Sequence, residues 1–130
     1  LCVHVRGMVE PEQRMTVMRR RMDFERDPAE FCATWQDQDS KLADRIMQAR
    51  RLLPMVRADE ASMRRVVEHA IAAQVDGHRA DIVMLKTAST LAALDGRAEV
   101  ACEDVDKAAS LALPHRMRRN PFESVGGQSA

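Results

Sequence analysis

The residues best placed to do chemistry in this chain lie in one short stretch, Val75-Asp76-Gly77-His78-Arg79-Ala80-Asp81. Gly77 can take the left-handed conformation that stops one helix, and Arg79 follows at what reads as the start of the next. A guanidinium there, with the free amides of the first helical turn, can face an anion such as a nucleotide phosphate. By itself the pattern fits a solvated helix start as well. His4, His69, His78 and His115 do not fall at metal-ligand spacing. Cys2, Cys32 and Cys102 are odd in number, far apart and without a CxxC pair, which argues against a zinc site and a disulfide framework and fits a reducing compartment. There is no GxxxxGK(S/T) loop, no glycine-rich dinucleotide turn and no HExxH pair, so the chain shows no catalytic apparatus of its own.

A second charged feature is the run His115-Arg116-Met117-Arg118-Arg119. It could grip nucleic acid. A solvated helix end, whose cations complement the negative dipole terminus, is the commoner arrangement, and a subunit contact is a third option. Basic and acidic residues both total 20, so net charge offers no long-range pull towards nucleic acid or an anionic membrane, and Phe122 is the one aromatic nearby for base stacking. Nucleic acid is therefore disfavoured as a partner. With 45% apolar and 31% charged residues the composition is that of a soluble globular domain. No apolar run approaches the roughly 20 residues that span a bilayer, and the start lacks the order of a signal peptide. A cytoplasmic location without membrane association is expected.

The elements that must hold Arg79 read as helices. At 3% aromatic content, with nine methionines and many alanines, the core is of a kind that suits helices packed on helices. Leu1-Cys2-Val3-His4-Val5 alternates like a strand cut from a larger sheet. Glu10-Pro11-Glu12 opens a helix to about Arg26, with Met15, Met18 and Met22 as its apolar stripe, read as core rather than as a binding surface. Asp27-Pro28 breaks it. A short helix to about Trp35 sets Phe31 and Trp35 on one face. After the polar Gln36-Asp37-Gln38-Asp39-Ser40, a long helix carries Leu42, Ile46, Ala49, Arg50 and Leu53 to Pro54. The next starts at the capping Asp59 and buries Met63, Val66, Val67, Ala70 and Ile71. Arg79 to Asp95 is the most apolar helix, with Ile82, Val83, Leu85, Ala88, Leu91, Ala92 and Leu94, and is expected at the bundle centre. Gly96 ends it, Val100 pairs briefly, and a last helix from Glu103-Asp104 turns Val105, Ala108, Ala109 and Ala112 inward before Pro114.

Four stretches carry a resemblance. Asp27-Pro28 followed by Phe31, then Arg51-Leu52-Leu53-Pro54, then Asp76-Gly77-His78-Arg79-Ala80-Asp81, and finally His115 to Glu123 occur in order and at fitting separations. Over nearly its whole length the chain resembles the C-terminal helical lid of the ATPase subunit of magnesium chelatases, a branch of the AAA+ proteins. The resemblance implies an all-α helical bundle preceded by a short remnant β-strand, with residues 1–9 as the remnant of a missing α/β nucleotide module, 10–123 as the lid and 124–130 as a flexible tail. It implies that Arg79 is the sensor-2 arginine, reaching the γ-phosphate of ATP held with Mg2+ by the missing module. Partners would be that module, neighbouring ring subunits and other chelatase subunits, and hydrolysis would drive insertion of a divalent metal into a tetrapyrrole.

The Walker motifs, arginine finger and sensor 1 of that family would precede Leu1, so the fragment alone is expected not to be catalytic. Ala101 stands where many members have a threonine cap, which should cost the last helix about 1 kcal/mol. The ending Leu113-Pro114-His115-Arg116 is equally reminiscent of relatives paired with cobalt-inserting enzymes. A helicase-like lid that binds nucleic acid and a stand-alone helical interaction module are the other readings.

Overall fold

The structure is a computed structural model that describes residues 1–75 and 77–114. Five helices follow one another along it: α1 (Pro11–Arg26), α2 (Pro28–Leu52), α3 (Glu60–Ala72), α4 (Arg79–Leu94) and α5 (Cys102–Ala112), with one 3-10 turn at Leu53–Met55. The all-α expectation holds. Among the described residues there is no strand. Residues 1–10 lie outside any ladder, which corrects the reading of Leu1 to Val5 as a strand. A strand exists by pairing, and among the described residues the backbone bond that ties Leu1 to Val5 down is the Cys2 amide donating to the Leu111 carbonyl at 2.8 Å.

The second correction concerns α2. The polar run Gln36 to Ser40 does not interrupt it; one helix of 25 residues, about 37 Å long, runs from Pro28 to Leu52. Polarity alone does not end a helix. The run holds neither glycine nor proline, and Lys41 reaches back one turn to Asp37 at 2.7 Å. Proline at the first position and Asp27, whose carboxylate accepts from the amides of Ala29 and Glu30, fix the start.

The core is made by α3, α4 and α5. Met84, Ala88 and Ala92 of α4 and Val105 and Ala108 of α5 are each 0% exposed. Small side chains let these two helices approach closely, and Ala80 and Ala112 belong to the same buried cluster. As expected, α4 is central, touching α2, α3 and α5. The connection before α5 is clipped to the one before α3: the Arg57 amide donates to the Ala98 carbonyl at 2.9 Å and the Val100 amide to the Arg57 carbonyl at 3.0 Å. The pairing read at Val100 thus amounts to one isolated parallel bridge, Arg57 with Glu99. Ser62, buried in the first turn of α3, donates its hydroxyl to the Val100 carbonyl at 3.0 Å.

Of two apolar stripes expected inside, that of α3 is covered only in part and that of α1 is not covered. On α3, Ser62, Val66 and Ala70 are buried, but Met63, Val67 and Ile71 are 45%, 48% and 71% exposed. The apolar arc is wider than the single side that α4 and α5 cover, so only one edge of it packs. On α1 nothing is buried, and Met15, Met18 and Met22 lie in the open. Among the described helices it packs on α2 alone, through the edge-on pair Phe24 and Phe31 at 5.7 Å and Arg20 over the Trp35 ring at 4.5 Å. On α2, Leu42, Ile46 and Leu53 are exposed and Ala49 is buried.

Candidate functional site

The turn between α3 and α4 places Arg79. The end of α3 is tied off by the Ala73 amide donating to the His69 carbonyl at 3.0 Å and the Val75 amide donating to the Ala70 carbonyl at 3.2 Å. Gln74 and Gly77 then take positive φ, 51° and 80°, and so reverse the chain. No heavy atom lies within 4 Å of a Cβ placed on Gly77, so glycine serves there for its dihedral and not for room.

His78 caps α4 without a side-chain bond to the backbone, and the first intrahelical bond is from the Ile82 amide to the His78 carbonyl at 3.2 Å. The amides of Arg79, Ala80 and Asp81 therefore have no acceptor within the helix. Ala80, 1% exposed, drives this end of α4 into the core. Arg79, one residue earlier, is exposed, and among the described residues no carboxylate pairs with it. The guanidinium is thus at a helix end and outside the bundle.

Its neighbours temper the local charge. Asp81 lies in the same first turn, with Oδ2 3.4 Å from His78 Nδ1, a long contact, and Oδ1 buried with no hydrogen-bond partner among the described residues. Two residues apart on a helix, Arg79 and Asp81 point to different sides, so the carboxylate does not hold the guanidinium. Val67, Ala70, Ile71 and Val75 form a shallow apolar hollow beside Gly77, His78 and Asp81. The exposed edge of α3 and the Arg79 turn accordingly share one face. That edge was legible as apolar in the sequence; its exposure was not, because periodicity does not say how many neighbours a helix has.

Ion pairs elsewhere hold helices together rather than lining a site. Arg45 donates to the Leu94 carbonyl at 3.0 Å and meets Asp95 at 3.2 Å, fastening α2 to the end of α4. Asp106 of α5 accepts from Arg65 Nε at 2.9 Å and lies 2.6 Å from His69 Nε2, both on α3. These contacts, 37 to 50 residues apart in sequence, left no sequence signal. Among the described residues no cluster of three His, Cys, Asp or Glu side chains could hold a metal ion, and no helix is long and apolar enough to cross a membrane. The run His115 to Arg119 and the segment 124–130 lie outside the described residues.

Against known proteins, the sequence model of the AAA lid domain family matches residues 63–129. The chain is 42% identical to an uncharacterized protein of Mycobacterium tuberculosis, over 97% of this chain and 20% of that protein. It is 37% identical to magnesium-chelatase subunit ChlI of Synechocystis, over 96% of this chain and 35% of the relative, and 38% identical to a ChlI homolog of Methanocaldococcus jannaschii, over 95% and 34%. The chain thus spans about a fifth to a third of the length of the curated relatives it matches.

Proposed function

Since this chain belongs to the AAA lid domain family, we propose that it is the helical lid of a magnesium-chelatase-type ATPase, with Arg79 as the group that senses the terminal phosphate. The observation that carries this reading is the exposed guanidinium at the first residue of α4, on a helix packed against three others. A lid built this way moves as a body. If Arg79 engages the terminal phosphate before hydrolysis and loses that partner after it, the lid has two preferred positions, separated by the difference in affinity.

The residues fit ATP in part. Arg79 and the unpaired amides of the first α4 turn suit an anion, while the Asp81 carboxylate beside them and the shallowness of the hollow make this face one arm of a site. The nucleotide, with Mg2+, would supply the hydrolysable phosphate chain, held in the main by the α/β module of the longer protein. The exposed edge Met63, Val67 and Ile71 offers that module an apolar seat next to Arg79. Residues 1–9 would be the connection to it. In such a ring, neighbouring copies and other chelatase subunits would be the partners. Hydrolysis would drive the insertion of magnesium, or cobalt in the sister systems, into a tetrapyrrole, with the inserted metal as substrate of those partners.

The test is Arg79→Ala in the longer protein that carries the nucleotide module. ATP hydrolysis should fall about a hundredfold, the scale of removing one charge-stabilising donor from a reacting phosphate. The thermal midpoint should stay where it was. Unaltered hydrolysis would remove the proposal.

A further inference from the structure

Asp95 stands where the helix dipole disfavours it. It follows the last residue of α4, at the negative end, and the last turn of that helix has no basic residue to offset it. Two arginines from other segments do so instead. Asp95 Oδ1 accepts from Arg45 Nη2 of α2 at 3.2 Å, and Oδ2 accepts from Arg97 Nη2 of the loop before α5, also at 3.2 Å. Arg45 Nε donates in addition to the Leu94 carbonyl at 3.0 Å, one of those that the end of α4 leaves without a helical partner.

Arg97 carries these contacts inward. Its Nη2 is shared between Asp95 and Asp104 Oδ1, and its Nη1 donates to Asp104 Oδ2. Asp104 Oδ2 accepts in turn from the Ala101 amide at the start of α5. One unbroken path therefore leads from α2 to the first turn of α5. Along it side-chain exposure falls from 58% at Arg45, through 45% at Asp95 and 39% at Arg97, to 2% at Asp104. The outer pairing is in water, where it is weak and easily released, and the inner one is desolvated, where it is strong.

We propose that Asp95 couples the position of the α1–α2 hairpin to the cap of α5. Among the described helices α1 rests on α2 alone, and α2 reaches the rest of the bundle through α4, so the hairpin is a lever on the end of α4. When the hairpin shifts and Arg45 leaves, Asp95 is again an uncompensated carboxylate at the negative end of a helix. It then competes with Asp104 for Nη2 of Arg97, and the bond from the Ala101 amide loosens. The proposal does not depend on the role of Arg79, and its test contains no nucleotide.

Hydrogen exchange of the 130-residue chain, followed amide by amide in nuclear magnetic resonance spectra, reads this coupling. Arg45→Met, a change on exposed helix surface, should leave the circular dichroism unaltered. It should speed exchange at Ala101 about threefold relative to the core amides of Met84 and Ala88, the scale of one exposed pairing. Lys41→Met removes a still more exposed pair on the same helix, that with Asp37, and should leave the ratio alone. In a chain that already carries Asp95→Asn, Arg45→Met should change nothing further at Ala101, because the path is cut. An Ala101 amide that exchanges as in the parent when Arg45 is lost overturns the proposal. So does a rise that Met84 and Ala88 share equally, which is general loss of stability, or an effect of Arg45→Met that persists beside Asp95→Asn, which would run through the Leu94 carbonyl.

Discussion

Arg97 and Asp104 face each other through two parallel bonds, Nη1 to Oδ2 and Nη2 to Oδ1, each 2.8 Å, across the loop that joins α4 to α5. The Asp104 side chain is 2% exposed, and its Oδ2 also accepts from the Ala101 amide at 2.9 Å. Arg97 holds this carboxyl below the usual carboxylate range. One carboxylate therefore anchors the loop and caps α5. Asp104→Asn keeps the shape and loses the charge-assisted pairing, and should cost about 2 kcal/mol in urea denaturation. The reciprocal cap is missing, because Ala101 offers no side-chain acceptor to the amide of Asp104. Its extended φ of −96° and ψ of 158° already suit a cap, so Ala101→Thr should add about 1 kcal/mol.

Acid should loosen the α3 to α5 contact at Asp106. Hydrogen bonds from Arg65, and after it His69, hold the Asp106 carboxyl down to about 2 against an ordinary 3.8. A depressed carboxylate stabilises the fold fully above its unfolded pKa and loses that contribution as pH falls through the folded one. Thermal midpoints should therefore drop between about pH 4 and pH 2, and Asp106→Asn should flatten that part of the profile while lowering the plateau above it. A variant whose profile tracks the parent's in that window would refute the assignment.

Gly77 and Gly96 have φ of 80° and 72°, and a Cβ on either would meet no atom within 4 Å. Alanine at each should cost the backbone penalty and nothing more, about 1 kcal/mol, and asparagine less. Equal losses at the two sites, read as midpoint shifts in urea, are the expected outcome; a much larger loss at Gly77 would show a contact the turn conceals.

Met84 and Met22 share a side chain and differ in surroundings, 0% against 69% exposed. Met84→Ala opens a cavity between α4 and α5 and should cost about 3 kcal/mol, while Met22→Ala should fall within about 0.5 kcal/mol of the parent. Comparable losses would mean that α1 is covered in the isolated chain.

Much of this molecule is determined by its sequence alone. Pro11, Pro28 and Asp59 start helices because a missing amide or a carboxylate suits a first turn, and Gly77 and Gly96 end or divide them because only glycine enters the left-handed region cheaply. The Arg79 stretch was visible for the same reason, its signal being local to a few residues. What tertiary structure decided is which apolar faces are covered. Met63, Val67 and Ile71 follow helical periodicity as well as Val66 and Ala70 do, and Met18 and Met22 as well as Met84, yet they stay in the open. Periodicity reports the preference of a side chain for burial, and burial requires a neighbour. Pairings such as Arg45 with Asp95, or Asp106 with Arg65 and His69, join residues far apart in the chain. Only the crossing of helices brings such groups together, and no local pattern encodes a crossing.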